Sequence, residues 1–221
     1  MKIRTVLVDD QSLVMSGLGE LIKQTKEVNI AAQFSRLDKA LSYVRDHPVE
    51  LVVMEWNLSG MGGIEATRRL RKKCPKIKIL IVSNTLDDPF PRRLIEAGAN
   101  GLISKKSAPG ELKSALDELL AGRHYLSIDI AQQALAREYW MPGQKSPFEE
   151  LTNRELQVMM LAVEGKRTQD ISQSLSLSPK TVSTYRHRLY SKLGVKSGVE
   201  LTHLAIRYGL AGTPLALQGT Q

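Results

Sequence analysis

Four short apolar runs, each followed by a polar residue, pace the first half of this chain. Thr5–Val8 runs into Asp9 and Asp10, Leu51–Met54 into Glu55, Lys78–Val82 into Ser83, and Gly101–Ile103 into Ser104 and Lys105; Val28–Phe34 is read as a fifth strand. Runs this short and continuously apolar read as strands buried on both faces of a parallel sheet. Helical periodicity fills the gaps, over Leu13–Gln24, Leu37–Arg45, Ile64–Lys73, Pro91–Ala97 and Glu111–Ala121. Alternating strand and helix predicts an α/β domain with helices on both faces. In such sheets ligands bind beyond the carboxyl ends of the strands. Asp9, Asp10, Glu55, Ser83 and Lys105 are therefore expected in one pocket. Three carboxylates, a hydroxyl and an ammonium suit Mg²⁺ and phosphoryl chemistry, because Mg²⁺ takes hard oxygens and a phosphoryl group takes a cation and a donor.

The second half is different in kind. From Tyr125 to Phe148 a helical stretch, Ile128–Tyr139, gives way to a segment rich in Pro, Gly and Ser, with Trp140 expected to pack on one of the domains. From Leu151 the chain reads as short helices. Thr152 and Glu155 form a capping box, Gly165 ends that helix, and a short helix over Gln169–Leu175 follows. Ser178-Pro179 starts a longer helix ending before Gly194, and Ser197 with Glu200 is read as a further capping box. The expected domains are 1–124, a linker with a helix over 125–148, a helical domain over 149–211, and a frayed tail over 212–221.

Two helices joined by a tight turn, the second basic and rich in small polar residues, are a candidate helix-turn-helix. In Thr181–Leu193, Val182, Tyr185, Leu189 and Leu193 make the inward stripe. Lys180, Thr181, Ser183, Thr184, Arg186, His187, Arg188 and Lys192 are assigned to the outward face. Cations there suit phosphates, and the hydroxyls and imidazole suit base edges. The net charge of +8 favours an anionic partner. With a single cysteine, Cys74, no intrachain disulfide is possible. No apolar run is long enough to span a membrane and no signal-peptide pattern opens the chain, so a cytoplasmic protein is expected.

These motifs resemble a known family. Leu151-Thr152-x-Arg154-Glu155, Ile171-Ser172-x-x-Leu175-x-Leu177-Ser178-x-x-Thr181-Val182 and Lys192-Leu193-Gly194-Val195 are similar to the LuxR/FixJ/NarL helix-turn-helix pattern. With the N-terminal pattern, the whole chain resembles a two-domain response regulator. Ser146-Pro147-Phe148, Asp88-Pro89-Phe90 and Tyr185-Arg186-x-Arg188 resemble its GacA/UvrY/LetA subgroup. The resemblance implies a flavodoxin/CheY-like receiver with a five-stranded parallel sheet of order 2-1-3-4-5, followed by a small all-α DNA-binding domain. It also implies a transcription factor that binds double-stranded DNA as a homodimer, takes its input from a sensor kinase or another regulatory protein, and has no enzymatic activity.

Carried over residue by residue, Asp9 and Asp10 match the acidic pair that holds Mg²⁺, with the Asn57 backbone carbonyl as a third ligand. Ser83 and Lys105 match the switch hydroxyl and lysine. Glu55 stands where the phospho-accepting Asp belongs. Leu58-Ser59-Gly60 replaces the usual Met-Pro-Gly, Leu102 stands where an aromatic switch residue is common, and Ser183 replaces a usual base-contacting lysine. An extra methylene displaces the Glu55 carboxylate by roughly 1.5 Å, and misplacement on that scale can cost about 10²-fold in rate. The expectation is a regulator that works without aspartyl phosphorylation and needs no cofactor, with Mg²⁺ binding left open. An adaptor that titrates a kinase or regulator is the alternative. A phosphohydrolase ranks below both, for want of an Asp nucleophile.

Overall fold

The structure, a computed structural model, describes residues 2–58, 60–84, 86, 89–140 and 146–210. The chain divides into two compact units, Met1–Gln144 and Lys145–Gln221.

The first unit is a parallel sheet wrapped by helices. Its strands are β1 (Ile3–Val8), β2 (Val28–Phe34), β3 (Leu51–Met54), β4 (Lys78–Ser83), β5 (Gly101–Ser104) and β6 (Tyr125–Leu126), in the order β2-β1-β3-β4-β5-β6. The helices are α1 (Ser12–Lys23), α2 (Leu37–Asp46), α3 (Gly63–Lys73), α4 (Phe90–Glu96), α5 (Pro109–Leu120) and α6 (Ile128–Trp140). Strand alternation sends Leu7, Val53, Leu80 and Ile103 into one core, where they meet Ile22 of α1 and Leu116 and Leu119 of α5. Their neighbours Val6, Val52, Ile79, Ile81 and Leu102 are buried on the other face. Burial of both faces is why the runs are continuously apolar.

The expected five strands are present, and a sixth extends the sheet. Tyr125 and Leu126 pair in parallel with Gly101 and Leu102. Two residues are too few to show a period of two, so only pairing along the β5 edge defines this strand. Gly98 and Gly122 end helices with φ of 108° and 80°, where a side chain would be strained.

The second unit is helical. A 3-10 turn (Pro147–Glu150) leads into α7 (Asn153–Val163), α8 (Thr168–Leu175), α9 (Pro179–Leu193) and α10 (Gly198–Arg207). Ser146 caps the turn by accepting from the Phe148 N–H, and Phe148 is fully buried, edge-on to Tyr208. The Thr152/Glu155 capping box closes in both directions. At α10 only half of the expected box forms. Ser197 accepts from the Glu200 N–H, but the Glu200 carboxylate takes the Lys196 N–H. The α8–α9 turn is made by Ser176 in the left-handed region, with φ 53° and ψ 48°. The Trp140 side chain and the tail from 212 onward lie outside what is described.

Candidate functional site

The carboxyl ends of β1, β3, β4 and β5 place four of the five predicted residues together. Glu55 is 7 % exposed, and its neighbours Asp9 and Ser83 are 1 % exposed. The Glu55 carboxylate is held at both oxygens. Oε1 accepts from Ser83 Oγ at 2.6 Å and from the Asn57 N–H at 2.8 Å, and Oε2 lies 3.0 Å from Lys105 Nζ. Lys105 Nζ also stands 2.6 Å from Asp9 Oδ2, while Asp9 Oδ1 accepts from the Gln11 N–H at 2.9 Å. The Lys105–Asp9 contact is close without hydrogen-bond alignment, so charge rather than directed bonding holds it. Burial by itself would lower the Lys105 pKa, but Asp9 and Glu55 overcome that and raise it above its ordinary 10.5.

Asp10 does not join them. It is exposed in a bend two residues past the end of β1. This corrects the expected three-carboxylate cluster. Among the described residues no three Asp, Glu, His or Cys side chains come together to hold a metal. The ammonium of Lys105 bridges the two buried carboxylates.

The surroundings hold Glu55 in place. Trp56 is buried and packs at a tilt against Phe90, the first residue of α4, with ring centroids 4.2 Å apart. Gly63, the first residue of α3, donates its N–H to the Trp56 carbonyl at 2.9 Å. Neither contact has a signal in the sequence, since both join residues that no periodicity links.

In the second unit, α9 presents Lys180, Ser183, Thr184, His187 and Arg188 as exposed residues, while Val182 and Leu189 are fully buried. Thr181 is half-buried, its hydroxyl 2.8 Å from Ser178 Oγ, and Thr184 Oγ1 donates to the Lys180 carbonyl. Two of the predicted outward cations are engaged within the unit. Arg186 donates to Thr168 Oγ1 at 3.2 Å and to the Tyr190 hydroxyl at 2.9 Å. Lys192 Nζ lies 2.7 Å from Glu155 Oε2 and donates to the Glu150 carbonyl at 3.1 Å. Arg186, four residues past buried Val182, is half-buried, whereas Lys192 is exposed along its length and bends its ammonium back to Glu155. Burial would raise the Glu155 pKa, but Lys192 and the Thr152 N–H outweigh it and leave it lowered.

The fold and the two sites together define a class: an α/β receiver whose acidic pocket lies at the strand ends, joined to a helix-turn-helix unit with a basic outer face. A model described as the response regulator receiver domain matches residues 5–117, and one described as bacterial regulatory proteins, luxR family, matches residues 149–205. The response regulator UvrY of Escherichia coli K12 is 38 % identical over 208 residues, which is 94 % of this chain and 95 % of that protein. The response regulator GacA of Pseudomonas protegens is 38 % identical over 213 residues, covering 96 % of this chain and all of GacA. Among solved structures, RcsB from Salmonella enterica serovar Typhimurium, bound to promoter rprA with phosphomimetic BeF3-, aligns over 92 % of this chain and 98 % of its own. Its TM-score is 0.69 at 20 % identity. This chain belongs to the response regulators with a LuxR-type DNA-binding domain. The family is regulatory rather than catalytic. Among the described residues, no helix is long and apolar enough to cross a membrane.

Proposed function

We propose that this chain is a DNA-binding transcription factor whose receiver is set by Glu55 itself, without aspartyl phosphorylation. One observation carries the reading: the Glu55 carboxylate already bonds the switch hydroxyl of Ser83 and faces Lys105, the two groups that the family resemblance assigns to a phosphoryl group. With both oxygens occupied and an ammonium in front of them, the carboxylate is poorly placed to attack a phosphodonor. It is well placed as a stand-in for the phosphorylated side chain.

Magnitudes limit the mimicry. A phosphoryl group brings about two charges and three acceptor oxygens; Glu55 brings one charge and two oxygens. Driving a two-state receiver from 1:99 to 99:1 takes roughly 5.5 kcal/mol, so Glu55 supplies a partial bias. The Lys105 ammonium takes the cation's role, and no Mg²⁺ is required. The DNA face of α9 consists of Lys180 and Arg188 for phosphates and Ser183, Thr184 and His187 for base edges, with Thr181 at its margin. RcsB has been solved as two dimers bound to two parallel DNAs. By that likeness, this chain is expected to act as a homodimer on double-stranded DNA, under the control of a sensor kinase or another regulatory protein.

The test compares wild type, Glu55→Ala and Glu55→Asp in genome-wide DNA capture, with and without acetyl phosphate and Mg²⁺. Wild type should bind discrete sites without a phosphodonor and take up no phosphate. Glu55→Ala should bind several-fold more weakly, and Glu55→Asp should become dependent on the phosphodonor. Stable phosphate incorporation at Glu55, or equal binding by all three proteins, would overturn the reading. Salt-sensitive binding without preferred sites would favour the adaptor instead.

A further inference from the structure

Helices α2 and α3 leave a cleft between them that the regulatory reading does not use. Its volume is about 320 Å³, the size of small-molecule sites. Leu41 and Val44 of α2 and Leu70 of α3 supply apolar walls, and Met61, from the loop between Glu55 and α3, supplies another. Val44 and Leu70 are buried, whereas Leu41 and Met61 are half-buried and open to an occupant.

The rim carries charge, most of it already neutralised. Arg45 is bonded to Asp46 at 2.8 and 2.9 Å, and Arg69 to Glu65 at 2.8 Å. The carboxylate of Asp38, also at the rim, is held by Arg36 at 3.0 and 3.2 Å. Lys73 differs: it forms no ion pair within 4 Å with any described residue and interacts at longer range with Asp46, a carboxylate that Arg45 already holds. An apolar chamber with an ammonium lacking a close partner at its mouth selects its occupant by chemistry. A cation gains nothing at the rim. A polyphosphate finds one such charge, too few to offset its desolvation. An apolar body bearing a single carboxylate satisfies both the walls and Lys73.

We propose that the α2–α3 cleft is a binding site for a small organic monoanion, with a phenylalkyl or medium-chain alkyl body between the helices and its carboxylate against Lys73. This site is separate from the Glu55 pocket and does not depend on how that pocket works. The two are neighbours in sequence, because Met61 belongs to the loop that carries the chain from Glu55 into α3.

Cys74 lines the same cleft and is the only cysteine in the chain, so its alkylation reports locally. The experiment uses the full chain, with 4-phenylbutyrate as the probe and 4-phenylbutan-1-ol as the neutral control. A probe of roughly twelve non-hydrogen atoms should bind with a Kd of about 1 mM or tighter. It should also slow alkylation of Cys74 by iodoacetamide several-fold at saturation. The alcohol should bind about fivefold more weakly, the loss of one partly exposed ion pair. Lys73→Gln, an exposed change that leaves the core intact, should bring the acid down to the level of the alcohol and leave the alcohol unchanged. Leu41→Trp, which fills the chamber, should abolish both. Failure of 4-phenylbutyrate to protect Cys74 overturns the proposal, as does equal binding of acid and alcohol, or an unchanged acid affinity in Lys73→Gln.

Discussion

Replacing Lys105 with methionine is expected to lower the stability of the receiver unit by about 3–5 kcal/mol, the usual result of removing one partner from a buried ion pair. The size follows from what remains. Asp9 and Glu55 are 1 % and 7 % exposed, and the Lys105 ammonium lies against both. Neither carboxylate can turn to water without breaking its own bonds, Asp9 to the Gln11 N–H and Glu55 to Ser83 and the Asn57 N–H. Urea unfolding, followed by Trp56 emission in a Trp140→Phe background, measures the loss. Adding Glu55→Gln to Lys105→Met should recover part of it, because one stranded charge is removed. A loss under about 1 kcal/mol would show that the carboxylates are less isolated than their burial implies.

The sign of the pH dependence is fixed by the same contacts. The folded state holds the Lys105 proton more tightly than the unfolded chain does, since its pKa is raised above 10.5. The stability it contributes is therefore complete below 10.5 and lost as pH climbs through the raised value. Lys105→Met should remove that alkaline decline.

Gly63→Ala is expected to cost about 3 kcal/mol, at the upper end of overpacking effects. A Cβ at Gly63 would fall 2.4 Å from the Trp56 Cα and 2.6 Å from its carbonyl oxygen. These are backbone atoms, so no rotamer change can clear them. The start of α3 must move, breaking the bond from the Gly63 N–H to Trp56 and disturbing the packing of Trp56 against Phe90. Because Glu55 precedes Trp56 directly, the Ser83 contact should loosen as well. Urea unfolding should show the loss, and Trp56 emission should shift even in the folded state. An unaltered emission spectrum with full stability would mean that the β3–α3 loop absorbs the methyl group.

Much of this was legible because it is local or periodic. Strands β1, β3, β4 and β5 show as apolar runs since both sheet faces are covered, while the edge strand β2 is mostly partly exposed, and the caps at Thr152, Ser178 and Gly194 lie within a few residues of what they satisfy. The meeting of Asp9, Glu55, Ser83 and Lys105 follows from strand ends in a parallel sheet. Asp10 was grouped with them by adjacency, although it is exposed in a bend past the end of β1. Arg186 and Lys192 were assigned outward by charge; Lys192 is exposed but gives its ammonium to Glu155, and Arg186 is half-buried against Thr168 and Tyr190. Glu155, the partner of Lys192, is 37 residues away in sequence, and no spacing rule links the two. Gly63 had no sequence signal, because what it avoids is the backbone of a residue in a preceding loop.

The pairing of Lys192 with Glu155 has a consequence for the ionic atmosphere of DNA. Each phosphate neutralised by a protein cation releases close to one condensed counterion, and the logarithm of affinity falls with the logarithm of salt by about 0.9 per phosphate. Lys180, Arg186, Arg188 and Lys192 would suggest four such exchanges from α9. Glu155 already matches the charge of Lys192, whereas Arg186 is bonded only to hydroxyls and keeps its charge, so about three exchanges are expected from this helix. Its hold on DNA is correspondingly less sensitive to a rise in cellular ionic strength than its basic sequence suggests.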